Sequence, residues 1–217
     1  MNQIALINPN SNAETTEKMV AIARKVDLDL VIDGFTAQRA PKLIIDKASL
    51  DASAAEVVEI ASAMHGYSCV IVAAFGDPGA DILRRNLPMP VIGIGAAAAR
   101  RAMREGMPFA VATTTPALVP SIDTLMRANG GAAPYIGSFV PEGDAVSLMA
   151  QAEALDRALL HQIERAVHAG ARQVIIGGGP LGEAAERLCG QATVPLIHPI
   201  KEAVKECIAL MATKNGE

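Results

Sequence analysis

The chain alternates short apolar runs with longer amphipathic stretches. The apolar runs have the length of buried strands and end in polar or glycine-rich turns. They are Ile4 to Ile7, Leu28 to Ile32, Cys69 to Ala73, Val91 to Ile94, Phe109 to Ala112, Val174 to Ile176 and Pro195 to Ile197. Helical patterns follow most of them: Asn12 to Val26, Ser53 to His65, Gly79 to Asn86, Ala96 to Arg104, Pro116 to Asn129, Ser147 to Ala169 and Ile200 to Ala212. This alternation predicts an α/β fold with parallel sheets and flanking helices, because parallel strands need crossover connections.

The second half of the chain repeats landmarks of the first half at a nearly constant offset. The matched pairs are Asn10 with Thr114, Gly66 with Gly170 and Ala74 with Gly178, each 104 positions apart, and Pro90 with Pro195, which are 105 apart. Self-similarity at one offset indicates a duplicated unit. We therefore predict two pseudo-symmetric lobes. Residues 1–96 with 196–217 would form lobe one, and residues 97–195 would form lobe two.

Polar or glycine-rich turns follow corresponding strands in the two halves. Ligands bind at the carboxyl ends of the strands of a parallel sheet. Two lobes related by a pseudo-twofold axis would bring four such turns to one shared cleft, which suits a small molecule held from two faces. The candidate binding residues in these turns are Asn10, Ser11, Phe75, Gly76, Thr113, Thr114, Gly178, Gly179 and Pro180.

Each turn also has an ordinary structural interpretation. Ser11 or Asn12 can cap the helix that follows, whose first N–H groups can also attract an anion. Pro116 suits the first helical position after the second-half turn. Asp77-Pro78 followed by glycine is typical of a tight turn. The sequence leaves capping and ligand binding open at these positions.

Two glycine-rich segments weakly resemble the fingerprint of dinucleotide binding. Residues 177–182 match Gly-x-Gly-x-x-Gly, and residues 93–98 nearly match it. Pro180 interrupts the first match, and His198 stands where an acidic ribose-binding residue is expected. A dinucleotide-dependent enzyme is therefore the weaker alternative.

The cysteines and histidines indicate no metal site. Cys69, Cys189 and Cys207 have long, irregular spacings, which indicate neither a disulfide nor bound zinc. We interpret all three as core residues, and the histidines in helical stretches as solvated. His198 follows a predicted strand and can either reach the mouth of the cleft or cap a helix.

The composition narrows the range of partners. The chain is 51% hydrophobic and carries a net charge of -4 without any block of like charges. This pattern supplies a large core and argues against a nucleic-acid or membrane partner. No apolar run approaches the roughly 20 residues that a membrane span needs. We expect a cytoplasmic protein with a small-molecule ligand, and homo-oligomerisation stays open.

Five motifs, taken in order, resemble the hydantoin and allantoin racemases of the aspartate/glutamate/hydantoin racemase superfamily. They are Ile-Asn-Pro-Asn-Ser from residue 7, Phe-Gly-Asp-Pro-Gly from residue 75, Val-Ile-Gly-Ile-Gly from residue 91, Phe-Ala-Val-Ala-Thr-Thr from residue 109 and a glycine-rich strand end near residue 178. The resemblance implies proton transfer at a small chiral acid, hydantoin or ureide, without a cofactor or metal. One cysteine would remove the α-proton, and a second, across the cleft, would return one to the opposite face.

The chain departs from this pattern at both positions that the resemblance assigns to cysteine. Ala74 and Gly178 occupy them, and Ala96 replaces an acidic residue that the family often places after Gly-Ile-Gly. Neither side chain can carry a proton, so the two-cysteine mechanism is not possible in this chain. Three hypotheses follow: Ala74 is an engineered replacement; another base has taken over, for a decarboxylase or isomerase reaction, with Asp77 and His198 as the weak candidates; or the protein binds a small carboxylate or ureide without turning it over.

The binding groups would be retained in every case. Backbone N–H groups of Phe75, Gly76 and Gly179 can form two nests for a carboxylate or an enolate-like oxygen. The side chains of Asn10, Ser11, Thr113 and Thr114 would add hydrogen bonds.

Overall fold

The computed structural model describes residues 3–129 and 131–214. The first half contains β1 (Gln3–Asn8), α1 (Ala13–Arg24), β2 (Val31–Thr36), α2 (Lys47–Ser62), β3 (Cys69–Val72), α3 (Ala80–Asn86), β4 (Val91–Gly93) and α4 (Ile94–Arg104). The second half contains β5 (Phe109–Ala112), α5 (Val119–Asn129), β6 (Tyr135–Phe139), α6 (Ala145–Met149), α7 (Ala152–His168), β7 (Gln173–Ile176), α8 (Gly182–Leu188), β8 (Leu196–Ile197) and α9 (Pro199–Lys214). Short 3₁₀ turns, Pro116–Leu118 and Gly179–Leu181, precede α5 and α8.

The strands form two parallel sheets with the same order. The first sheet runs β2-β1-β3-β4 and the second runs β6-β5-β7-β8. Corresponding hydrogen bonds close the two sheets: Ala73 donates to the carbonyl of Ile7 at 2.8 Å, and Gly177 donates to that of Ala112 at 2.8 Å. The predicted α/β fold, with two lobes of parallel sheet and flanking helices, is confirmed.

Several element boundaries differ from the predicted ones. The second strand begins at Val31 rather than Leu28, whose side chain is 89% exposed. β6 was not predicted, because it is an edge strand that is only half-buried and contains Gly137. The short helix α8 was also not predicted. The helix predicted from Ser147 is interrupted at Gln151, whose backbone is extended and begins α7.

Two helices connect the lobes. α9 returns from the second sheet to the first, where Ile200 and Val204 pack in one core with Ile4 and Ile71. α4 leaves the first sheet and packs Ala98, Ala99 and Ala102 into the core around Phe109 and Ile175 of the second sheet. β8 pairs with β7, so the second sheet extends to Ile197, two residues beyond the predicted end of lobe two.

The three cysteines behave differently from one another. Cys69 and Cys207 are fully buried, as predicted, but they form a disulfide that ties β3 to α9, with Cα atoms 6.1 Å apart. The expectation of no disulfide is wrong, because a sequence separation of 138 residues leaves no local signal for the pairing. Cys189 is exposed and not a core residue, since it follows the last buried position of α8.

The described residues contain no helix that is long and apolar enough to cross a membrane. The core is aliphatic: apart from Phe75 and Phe109, its buried hydrophobic side chains are alanine, valine, leucine, isoleucine, methionine and cysteine. Such side chains bury apolar area without leaving polar atoms to be satisfied. Among the buried polar residues, six lie in the turns that follow strands: Asn10, Asp77, Thr113, Thr114, Thr115 and His198.

Candidate functional site

The turns that follow β1, β3, β5 and β7 line one cleft between the two lobes. Its volume is about 50 Å³. The lining residues are Asn10, Leu43, Ile44, Leu50, Ala73, Ala74, Phe75, Thr113, Thr114, Thr115, Leu118, Ile122, Met149, Gly177, Gly178, Gly179, Pro180 and Leu181. Most of the predicted binding residues are therefore brought together. Ser11 and Gly76 are not among the lining residues.

A network of asparagines shapes the turn after β1. The fully buried Asn8 donates from Nδ2 to Oδ1 of Asn10 at 2.9 Å, and its own Oδ1 accepts from the backbone N–H of Asn10 at 3.1 Å. The backbone N–H of Asn12 also donates to Oδ1 of Asn10, at 2.9 Å. These bonds fix the amide orientation, so Nδ2 of Asn10, which has no acceptor in the described part of the chain, is its available donor. Asn8 was missed by sequence reasoning, although a polar residue at the end of a buried strand was a signal.

A backbone hydrogen bond holds Ser11 outside the cleft. Its backbone N–H donates to the carbonyl of Pro41 at 3.2 Å, which holds the residue against the 37–46 segment. Asn12, not Ser11, caps α1 by accepting from the N–H of Thr15. Leu43 and Ile44 of that segment reach the cleft, whereas Pro41 itself is exposed.

Thr113 and Thr114, which follow β5, have different roles. Thr113 donates to the carbonyl of Gly177 at 2.7 Å, which ties the end of β5 to the end of β7. Thr114 makes only a long contact with the sulfur of Met149, at 3.8 Å, and is 3% exposed. A hydroxyl with so weak a partner can exchange it for a ligand atom. Thr114 is therefore the threonine suited to binding.

Glycines mark the places where the two lobes touch. A Cβ atom on Gly179 would lie 2.6 Å from the carbonyl oxygen of Ala73, and one on Gly177 would lie 3.1 Å from the ring of Phe75. Protein atoms thus occupy the space that a pyrophosphate would need beside a dinucleotide fingerprint. Gly178 differs from both neighbours, because a Cβ there would meet only the side chain of Leu181, at 3.1 Å.

Unpaired backbone donors lie on both sides of this contact. The N–H groups of Ala74, Phe75, Gly178 and Gly179 have no acceptor among the residues that the structure describes. Unpaired amides grouped at strand ends form nests that attract a carboxylate or another oxyanion. Gly76 is not part of the cleft lining, because the space beside its Cα is filled by the side chain of Leu50.

Comparisons with known proteins agree with this geometry. The sequence profile of the Asp/Glu/hydantoin racemase family matches residues 4–207. The chain belongs to this family. The hydantoin racemase of Rhizobium meliloti is 30% identical, and the alignment covers 96% of this chain and 88% of that protein. The crystal structure of the allantoin racemase from Pseudomonas fluorescens matches with a TM-score of 0.91 at 25% identity, covering 98% of this chain and 92% of that one. The allantoin racemase from Klebsiella pneumoniae gives a TM-score of 0.89 at 25% identity, covering 99% and 89%.

In this racemase-family protein, Asp77 lies outside the lining of the cleft. Its buried carboxylate accepts hydrogen bonds from the backbone N–H groups of Gly95, at 2.8 Å, and Ala96, at 2.7 Å, in the first turn of α4. Burial raises the pKa of this carboxyl group from 3.8 to about 6, although the two N–H groups and the charges of Arg84 and Arg100 act in the opposite direction. The carboxylate of Asp77 thus lies against α4 and not in this cleft.

The raised pKa of Asp77 gives a testable dependence of stability on pH. Because the folded-state pKa lies above the unfolded value, the stabilising contribution is complete below about pH 4 and is lost as the pH rises through about 6. Between pH 3.5 and 7, the free energy of unfolding of the parent chain should fall by about 3 kcal/mol relative to that of Asp77→Asn. Urea denaturation of both proteins across this range measures the difference. Parallel curves would contradict the assigned pKa shift.

His198 also lies outside the lining of the cleft. Its Nε2 donates to the carbonyl of Gly182 at 3.1 Å, and its Nδ1 is buried without a partner among the described residues. Burial lowers the pKa of this imidazole to about 4, with help from Lys201, so the ring is neutral at pH 7. His198 fixes the start of α8 and precedes α9, and it is buried rather than at the mouth of the cleft.

The cleft of this racemase-family protein consequently contains hydrogen-bond donors and apolar side chains but no titratable side chain among its described lining residues. Ala74 lies at the end of β3 in one lobe, and Gly178 lies at the end of β7 in the other. Among the described residues, no group of histidine, cysteine, aspartate or glutamate side chains could hold a metal ion. The side chains that line this cleft can orient an anionic or carbonyl-bearing ligand, and none of them is an acid or a base that titrates.

Proposed function

We propose that this racemase-family chain binds a small carboxylate, hydantoin or ureide in the cleft between its lobes without exchanging the α-proton of that ligand. One observation carries the proposal: the described lining offers donors from both lobes and no side chain able to act as a base. Racemisation needs a base and an acid on opposite faces of a planar carbanion. The two groups that could have replaced the thiols are engaged elsewhere, Asp77 with α4 and His198 with Gly182.

The ligand class is supported by the chemistry of the lining. Nδ2 of Asn10, the hydroxyl of Thr114 and the unpaired amides of the two nests supply donors to carbonyl or carboxylate oxygens. The apolar wall formed by Leu43, Ile44 and Leu50 suits the substituent on the chiral carbon. The matched relatives are a hydantoin racemase and an allantoin racemase. In allantoin and in 5-substituted hydantoins, the ring carries a carbonyl oxygen next to a chiral carbon.

Asn10→Asp should weaken ligand binding by about tenfold or more, because it replaces the only available donor of this side chain with a charged acceptor. The substitution keeps the shape of the side chain and the oxygen that accepts from Asn8 and Asn12. Ser11→Ala is the matched control, since Ser11 is adjacent but outside the lining.

Binding is measured by NMR titration of the unaltered chain with hydantoins, allantoin, aspartate, glutamate and arylmalonates. The proposal expects at least one of these to bind, with Ser11→Ala retaining the affinity and Asn10→Asp losing it. Equal affinities for all three proteins would show that the ligand binds outside this cleft. Failure of the whole panel to bind would overturn the assigned ligand class.

A further inference from the structure

The Gly-Ile-Gly motif of residues 93–95 forms a binding site for the carboxylate of Asp77. A Cβ atom on Gly93 would overlap the carboxyl group of Asp77, and one on Gly95 would lie 3.2 Å from its Oδ1. Glycine at both positions admits the carboxylate to the N–H groups of Gly95 and Ala96. The motif that resembles a phosphate-binding loop is therefore filled by a side chain of the protein itself.

Asp77 also closes the turn that begins at Ala74. Its backbone N–H donates to the carbonyl of Ala74 at 3.0 Å, and its own carbonyl accepts from Ala80 at 3.1 Å. Its φ is 51°, the only positive value among the described residues other than glycine. A left-handed conformation at such a residue costs free energy and persists where surrounding contacts hold it. At Asp77, the two hydrogen bonds that its carboxylate accepts from α4 supply such contacts.

The helix that holds this carboxylate spans both lobes. Ile94 and Ala97 of α4 pack into the core of the first sheet, whereas Ala98 and Ala102 pack into the core of the second. Arg100 of the same helix pairs with Glu206 of α9 at 2.8 Å. The bond from Asp77 to α4 therefore connects the Ala74–Phe75 turn to an element whose position is fixed by both lobes.

We propose that Asp77 is a positioning residue that, through α4, fixes the Ala74–Phe75 side of the cleft relative to the Gly178 side. The proposal rests on the proposed function, because this spacing matters only where a ligand lies between the two turns. The experiment that tests it uses no ligand, so its failure is distinguishable from a failure of ligand binding.

The test places a thiol on each side of the cleft. Ala74→Cys and Gly178→Cys are prepared separately, each with and without Asp77→Asn, and alkylation by iodoacetamide is followed for each peptide by mass spectrometry. The exposed Cys189 is the internal reference. Because loss of the bond to α4 frees the turn, Asp77→Asn should raise the rate at position 74 by about tenfold and leave position 178 unchanged, with both rates measured at a pH where the thiols are fully ionised so that the lost charge does not alter the thiolate fraction.

A purely structural role would give a different result. General loosening would change the rates at positions 74 and 178 together, and no role would leave both unchanged; either outcome would overturn the proposal. If Asp77→Asn does not melt cooperatively, Asp77→Ala with Gly93→Ala replaces it. That pair removes the hydrogen bonds and fills the space of the carboxylate with a methyl group. The alkylation rate must again change at position 74 and stay unchanged at position 178.

Discussion

Replacing Ala74 and Gly178 together with cysteine is expected to exchange the α-proton of a 5-substituted hydantoin with inversion of configuration. The rate should be on the order of 10⁴-fold or more above that of the unaltered chain, since acid and base groups contribute about 10²–10⁴-fold each. The geometry admits both side chains. Ala74 already carries a Cβ that lines the cleft. Gly178 has an extended backbone, and a Cβ there needs the Leu181 side chain to yield by only a few tenths of an ångström.

The single variants separate the two faces. One thiol can remove a proton and return a deuteron to the same face, so each single variant should exchange in D₂O with retention of configuration. The double variant should exchange with inversion. Proton NMR and chiral chromatography measure the two events, and Ala74→Ser with Gly178→Ser is the matched control because a hydroxyl is a far weaker acid. A double variant without activity, although it is folded and binds ligand, would show that these positions do not face one α-carbon.

Gly179→Ala should separate the two lobes where Gly179 lies against Ala73, costing about 2 kcal/mol of unfolding free energy and about tenfold or more in ligand affinity. The added Cβ would lie 2.6 Å from the carbonyl oxygen of Ala73 and 2.9 Å from the sulfur of Met19. Met19 can move, but the Ala73 carbonyl belongs to backbone that is hydrogen-bonded to β1. The strain is therefore relieved by moving one lobe away from the other.

Gly178→Ala is the matched control for this substitution. Its Cβ would meet only the end of a flexible leucine side chain, so its stability should change by less than about 1 kcal/mol. Thermal melts of both variants give the comparison of stability, and a ligand titration of Gly179→Ala measures its affinity. Equal effects at 178 and 179, or no effect at either, would contradict the close approach of the lobes.

The sequence predicted those parts of the site that follow from strand order. Asn10, Thr114 and Gly178 come directly after strands whose carboxyl ends meet in a doubled parallel fold, so the offset of 104 residues was enough to bring them together. The α/β class followed from the alternation of apolar runs and helical patterns. No knowledge of side-chain direction was needed for either prediction.

The placements that differ from the sequence-based expectations depend on three-dimensional information. Ser11 and Gly76 are next to lining residues in sequence, but the backbone turns them toward Pro41 and Leu50. Asp77 is a chemically reasonable base until its carboxylate is seen on α4, 18 residues further along the chain. The disulfide between Cys69 and Cys207 depends on α9 returning to the first sheet, which no local pattern encodes.

Whether this cleft binds its ligand without a base is decided by α-proton exchange. A ligand shown by titration to bind the unaltered chain is incubated with it in D₂O, and the α-proton signal is followed by NMR. We expect the signal to decay no faster than in buffer alone. Decay that requires the protein, saturates with the ligand and is lost in Asn10→Asp would show that a base acts in this cleft, and would contradict the account.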